Sequence, residues 1–158
     1  MHWTIKTRLM AMGALGVVTA VLLGAISLRG VNRVVNSTQS ISLASTGLRN
    51  HLESDMMHDA LRADLLAALL ADSKEDREAV QTDLEEHSAW FRKMIAANEK
   101  IDMGPEVGKA IGETKPSLEA YIASAERIIA LASQDRAAAT AQLPAFLATF
   151  KDLEERMS

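Results

Sequence analysis

An all-α chain, with one transmembrane helix ahead of an antiparallel up-down-up-down four-helix bundle, is the architecture this sequence predicts. Three observations predict it. From Gly30 onward apolar residues recur at helical spacing, with no alternating strand pattern and no Asn-Gly or Asp-Gly hairpin signal. Turn formers are scarce, at 3 prolines and 8 glycines in 158 residues. Leu9 to Leu28 is a run of 20 residues without a charge, long enough at about 1.5 Å per residue to cross a hydrocarbon core of about 30 Å.

Composition removes several function classes. The chain has no cysteine, which excludes a disulfide framework, a thiolate zinc site and a cysteine nucleophile. A net charge of −4 leaves no basic footprint for nucleic acid. Charge is also unevenly spread. Residues 1–29 hold three of the 17 basic side chains and none of the 21 acidic ones, so residues 30–158 carry a net −7.

The elements follow in order. Residues 1–8, with Lys6 and Arg8, read as a short cytoplasmic N-terminus, and residues 9–28 as an uncleaved membrane anchor. A cleaved signal peptide is the competing reading, but its apolar region typically covers only about 7–15 residues. Gly16, Ala20 and Gly24 form a small-residue face on which two membrane helices can pack. Residues 30–158 then form the bundle, outside the membrane. Its first helix is expected from about Val31 to Ala71. Ser73 with Asp76 three residues on has the form of a capping box for a second helix reaching Lys100. Gly104-Pro105 is the clearest break, glycine ending one segment and proline opening the third helix, which runs to Ala132. Ser133-Gln134-Asp135 makes a turn and supplies a cap for the fourth helix. Pro116 and Pro144 fall inside helical patterns and are expected to kink them. The fourth helix is much shorter than the first, so it is expected to be truncated.

Two stripes carry polar residues where a core seam is expected. On the second helix Val80, Leu84, His87, Phe91 and Met94 alternate four and three. On the first helix His51, Asp55, His58, Arg62, Leu65 and Leu69 do the same. Folding the hairpin at residues 72–73 puts His58 level with His87, with Asp55 and Arg62 a turn away. A ligand pocket, a dimer contact or a solvated face are the readings of that stripe. His58, His87 and Asp55 would also suit a zinc or copper ion. Di-iron chemistry needs carboxylate-x-x-His on two helices, and Asp55-x-x-His58 is the sole instance. No His-Glu-x-x-His, phosphate-binding glycine loop or Gly-x-Ser-x-Gly elbow is present, so an enzyme is not expected, nor a cofactor. Trp90, Phe91, Tyr121, Phe146 and Phe150 are expected in the core.

The N-terminus Trp3-Thr4-Ile5-Lys6-Thr7-Arg8-Leu9, the anchor and the stretch Ser54-Asp55-Met56-Met57-His58-Asp59-Ala60-Leu61-Arg62-Ala63-Asp64 together resemble methyl-accepting chemotaxis receptors. So do Tyr121-Ile122-Ala123, Pro144-Ala145-Phe146 and Phe150 with Leu153-Glu154. The resemblance covers essentially the whole chain. It implies the sensor portion of an inner-membrane receptor. Such a receptor is a homodimer through its first helix, with a periplasmic bundle that detects a small molecule or a periplasmic binding protein. Binding shifts the fourth helix and so controls a cytoplasmic kinase. Under that resemblance His51, Asp55, His58, Asp59, Arg62 and His87 are the candidate ligand-binding residues. Arg62 is suited to a carboxylate ligand, with Arg49 further down the helix. The arginine-and-threonine pattern for amino acids is incomplete, Thr140 and Thr149 being its only threonine candidates on the fourth helix. A membrane-anchored metal-binding bundle and the sensor of a histidine kinase are the alternatives.

Overall fold

A computed structural model describes residues 4–157. It is all-helical among the described residues: α1 (Ile5–Leu70), α2 (Lys74–Glu99), α3 (Pro105–Ala132) and α4 (Arg136–Met157). The chain divides into two compact units, one ending at Ser42 and the other beginning at Leu43.

The first unit is the N-terminal part of α1. Its large apolar side chains, among them Leu9, Leu15, Val21, Leu22 and Ile26, are all exposed. The helix is long and apolar enough to cross a membrane. Within the apolar run Thr19 Oγ1 donates to the carbonyls of Leu15 at 3.0 Å and Gly16 at 2.9 Å. A polar group satisfied by its own helix suits a lipid surround, where no water offers a partner.

The second unit holds the rest of α1 with α2, α3 and α4. Its helix ends follow local chemistry. Asp76 N–H donates to Ser73 Oγ at 2.9 Å and Ser73 N–H to Asp76 Oδ2 at 3.3 Å, the reciprocal capping box. Such a cap contributes about 1 kcal/mol. Gly104 adopts φ 95°, a left-handed backbone that an L side chain resists, and Pro105 opens α3 directly after it. Asp135 Oδ1 accepts from Ala138 N–H at 2.9 Å and caps α4. Pro116 and Pro144 lie within α3 and α4, and both are exposed.

Contacts order the helices. Asn50 meets Asn98, Glu53 meets Trp90 and Asp64 meets His87, so rising numbers on α1 meet falling numbers on α2. The same opposed order joins α2 to α3 (Arg92 to Glu119, Glu99 to Lys115) and α3 to α4 (Thr114 to Arg156, Ser117 to Asp152). Arg136 Nη2 donates to the Ala71 carbonyl at 2.6 Å and to Asp72 at 2.9 Å, which ties the start of α4 to the α1–α2 turn. We call this the tip. At the base, the α2–α3 connection approaches α1 so closely that a Cβ on Gly47 would overlap Met103 Sδ.

The core toward the tip is mainly apolar, with Leu61, Leu65, Leu84, Ile122 and Ile128 fully or almost fully buried and Asp64, Ser88 and Ser124 as its buried polar residues. Each such apolar side chain contributes about 1.5–3 kcal/mol through removal from water. Toward the base the buried set turns polar: Ser54, Asn50, Asn98 and Thr114. Two expectations need correction. Asp55 is exposed and Ser54 takes the interior position beside it, so the seam of α1 is rotated by one residue. Trp90 is not in the core. It lies 40 % exposed, donating Nε1–H to Glu53 at 3.1 Å, with Lys93 Nζ 4.1 Å above its ring. Phe91, Tyr121, Phe146 and Phe150 are buried as expected.

Candidate functional site

His58 sits at the centre of the second unit, only 2 % exposed. Its Nε2 lies 3.1 Å from the Phe150 carbonyl oxygen of α4, and its own backbone carbonyl accepts from Tyr121 Oη at 2.7 Å from α3. Its ring stacks on Phe150 with centroids 3.9 Å apart and planes at 10°. The Arg62 guanidinium carbon lies over the same Phe150 ring at 4.4 Å. Two groups that close cannot share one face of the ring, so Phe150 is clasped between His58 and Arg62, one turn apart on α1. Arg62 also pairs with Asp59 at 2.8 Å. Burial holds the His58 pKa below its ordinary 6.5, against the raising influence of the Phe150 carbonyl and of Asp59, Asp55 and Glu154. The Tyr121 hydroxyl is pushed well up by burial and stays a proton donor.

His87 does not join His58. Its Nδ1 lies 2.7 Å from Asp64 Oδ2, with the carboxylate buried and the imidazole about one-third exposed. Burial raises the Asp64 pKa while the His87 hydrogen bond lowers it, and burial is the larger effect. Helical side chains lean toward the N-terminus of their own helix. They therefore point toward the tip on α2 and away from it on α1. A residue of α2 consequently meets a residue of α1 nearer the tip than folding the chain at residues 72–73 suggests: His87 finds Asp64, and His58 faces Phe91, ring centroids 6.5 Å apart. Among the described residues no three His, Asp or Glu side chains converge in a way that could hold a metal ion. The expected set of His58, His87 and Asp55 is not assembled. One nitrogen of each histidine is engaged within the protein, and Asp55 points outward.

His51 lies at the base, where a half-open cavity of about 310 Å³ penetrates between the helices. Gly47 and His51 of α1, Asn98 of α2, Thr114 of α3 and Arg156 of α4 contribute to its wall, so all four helices meet there. Asn98 is committed: it accepts from Asn50 Nδ2 at 2.9 Å and donates to the Gly47 carbonyl at 3.1 Å. Gly47 leaves room for that knot and for Met103.

Sequence reasoning put His51 and His58 on one stripe, which the structure divides between the base cavity and the buried centre, and it missed the roles of Asp64 and of the Asn50–Asn98 pair. Asp64 had a signal, since it lies in the helical register of Leu61, Leu65 and Ala68. Thr140 and Thr149 do not present their hydroxyls outward, because each donates to its own helix, to the Arg136 and Phe146 carbonyls.

Comparison with curated proteins and with solved structures gives no match. Residues 2–158 match a family model described as a four helix bundle sensory module for signal transduction. Its extent fits the architecture found: an apolar N-terminal helix segment leading into a four-helix unit with a polar interior on one side and a packed core on the other. By that match, across almost its entire length, this chain belongs to the family of four-helix-bundle sensory modules of signal transduction.

Proposed function

We propose that this chain is the ligand-sensing part of a bacterial transmembrane chemoreceptor. The N-terminal segment of α1 anchors it in the inner membrane, and the antiparallel up-down-up-down bundle lies in the periplasm. Occupancy of the bundle controls a cytoplasmic chemotaxis kinase. The observation that carries this reading is the family match over residues 2–158, together with an α1 long and apolar enough to span a membrane. A ligand signals only through a difference in its affinity for two states of the receptor. The interior polar contacts between α1 and α4 are suited to differ between such states.

The receptor acts as a homodimer through α1. Leu48, Leu52, Met56, Leu66 and Leu70 are exposed on that helix at spacings of a single face, with Asp59 and Ala63 between them. Gly16, Ala20 and Gly24 extend the contact within the membrane. Asp55, Asp59 and Arg62 are accessible beside this stripe and His51 opens to the cavity, so these four are the residues that meet a ligand. His58 and His87 act from inside, as positioning residues.

Fusion of residues 1–158 to the second membrane helix and signalling module of a chemoreceptor tests the reading. Kinase activity in membranes is expected to change when organic acids, amino acids or other small molecules are added. A fusion that activates the kinase yet responds to neither such a panel nor a periplasmic extract overturns it. The chain has no native cysteine, so Met56→Cys is expected to cross-link two copies on oxidation, and Ala123→Cys on α3 is not.

A further inference from the structure

We propose that the base cavity is a binding site, within one protomer, for a small monocarboxylic acid with an apolar body, aromatic or short-chain aliphatic. At about 310 Å³ it lies at the small end of ligand pockets, which run from about 300 to 1,000 Å³. Its wall is mainly apolar, with Ile95, Met103, Val107 and Ile111 among its lining residues. That suits a hydrocarbon body better than a sugar, whose many hydroxyls would find few partners along the wall.

The polar side chains of the wall differ in what they have left to offer. Asn98 is used by Asn50 and Gly47, and Thr114 Oγ1 donates to the Ala110 carbonyl at 2.9 Å. Arg156 gives its Nε edge to Asp152 at 3.0 Å. His51 is half-buried and has no hydrogen-bond or ion-pair partner among the described residues. An apolar chamber with His51, its imidazole unengaged, and Arg156 among its lining residues is complementary to one anionic head group on a hydrophobic body. The carboxylate accepts from His51, with Arg156 supplying positive potential beside it. Because the walls come from all four helices, an occupant touches every helix of the bundle. The binding itself stands apart from the sensor reading, and only its signalling meaning rests on that reading.

The purified full chain in detergent is titrated by calorimetry with benzoate and hexanoate, with benzyl alcohol as the uncharged match and protein-free micelles as the blank. One site per chain is expected, with benzoate bound about tenfold more tightly than benzyl alcohol, because hydrogen bonds to an ionised acceptor are the stronger ones. Val107→Trp fills the cavity from its exposed rim and is expected to remove binding of both compounds; Val107→Phe serves if the larger residue disturbs the fold, checked by circular dichroism. His51→Ala is expected to weaken benzoate about tenfold and to leave benzyl alcohol unchanged. The proposal fails if wild type binds neither acid, if benzoate binding survives Val107→Trp and Val107→Phe, or if benzoate and benzyl alcohol bind equally. Acid binding in a fused receptor whose kinase output answers neither the acid, the wider panel nor the extract would leave this site standing and remove the sensor reading. A kinase response to some other compound with no acid bound would do the reverse.

Discussion

The tip and the base of the bundle are built from the same four helices and solve opposite problems. At the tip, Leu61, Leu65, Leu84 and Ile128 form a mainly apolar core in which Asp64, Ser88 and Ser124 are the buried polar groups, and a capping box and the Arg136 bridge to Ala71 and Asp72 close the end. At the base, Gly47, Asn50, Asn98 and Thr114 line the interior and a cavity remains. Apolar contacts are non-directional, so the tip tolerates small shifts only by losing dispersion and burial together. Hydrogen-bonded amides instead specify one arrangement while leaving space beside it. Apolar burial is therefore concentrated toward the tip and open space at the base, with the His58 layer between them.

Thermal unfolding of the full chain in detergent can break this contrast. The largest effect is expected from Phe146→Ala, at a fully buried tip-side position, which should cost about 3–5 kcal/mol. Asn98→Ala at the base should cost less, about 1–3 kcal/mol, by stranding Asn50 Nδ2 and the Gly47 carbonyl. Equal losses at the two positions would abolish the distinction. Ser88→Ala should act with the opposite sign. Ser88 Oγ is buried without a hydrogen-bond partner, so its removal, with alanine's better helix propensity, should stabilise by about 0.5–1 kcal/mol.

The smallest effect is a slope with pH. The folded-state pKa of His58 lies below 6.5, so the unfolded chain binds more protons just under that pH. The contribution of His58 is present above pH 6.5 and is lost as pH falls through 6.5 toward the folded value. Asp64 runs the other way. Its folded pKa is raised above 3.8, so the folded chain gains stability as pH drops from that raised value to 3.8. Melting temperature against pH is expected to lose its upper limb in His58→Gln and its lower compensation in Asp64→Asn. Unchanged profiles would show that neither group titrates with folding.

Helix ends were the most legible part of the sequence, because each rests on short-range chemistry: Ser73 with Asp76, Gly104 with Pro105, Asp135 with Ala138. Lateral facts were harder to read. A one-residue rotation of α1 exchanged Asp55 for Ser54 in the interior, and the lean of side chains along each helix exchanged His58 for Asp64 as the partner of His87. Both depend on how neighbouring helices sit against one another, which the periodicity of a single helix does not encode. Of the candidate residues, His51 was identified without its cavity, since that cavity is a property of four helices together.

The clasp on Phe150 has a mechanical meaning. With His58 on one face of the ring and Arg62 on the other, at 3.9 and 4.4 Å, the ring is a tooth seated between two cogs spaced along α1. Sliding α4 along its axis by a single residue, about 1.5 Å, drives the tooth into one cog or the other. Turning α4 about its axis has its own cost, because it strains the 3.1 Å contact of His58 Nε2 with the Phe150 carbonyl and the edge contact of the ring with Tyr121. At this level α1 and α4 are latched in register, so a stroke of α4 either carries α1 with it or opens the clasp.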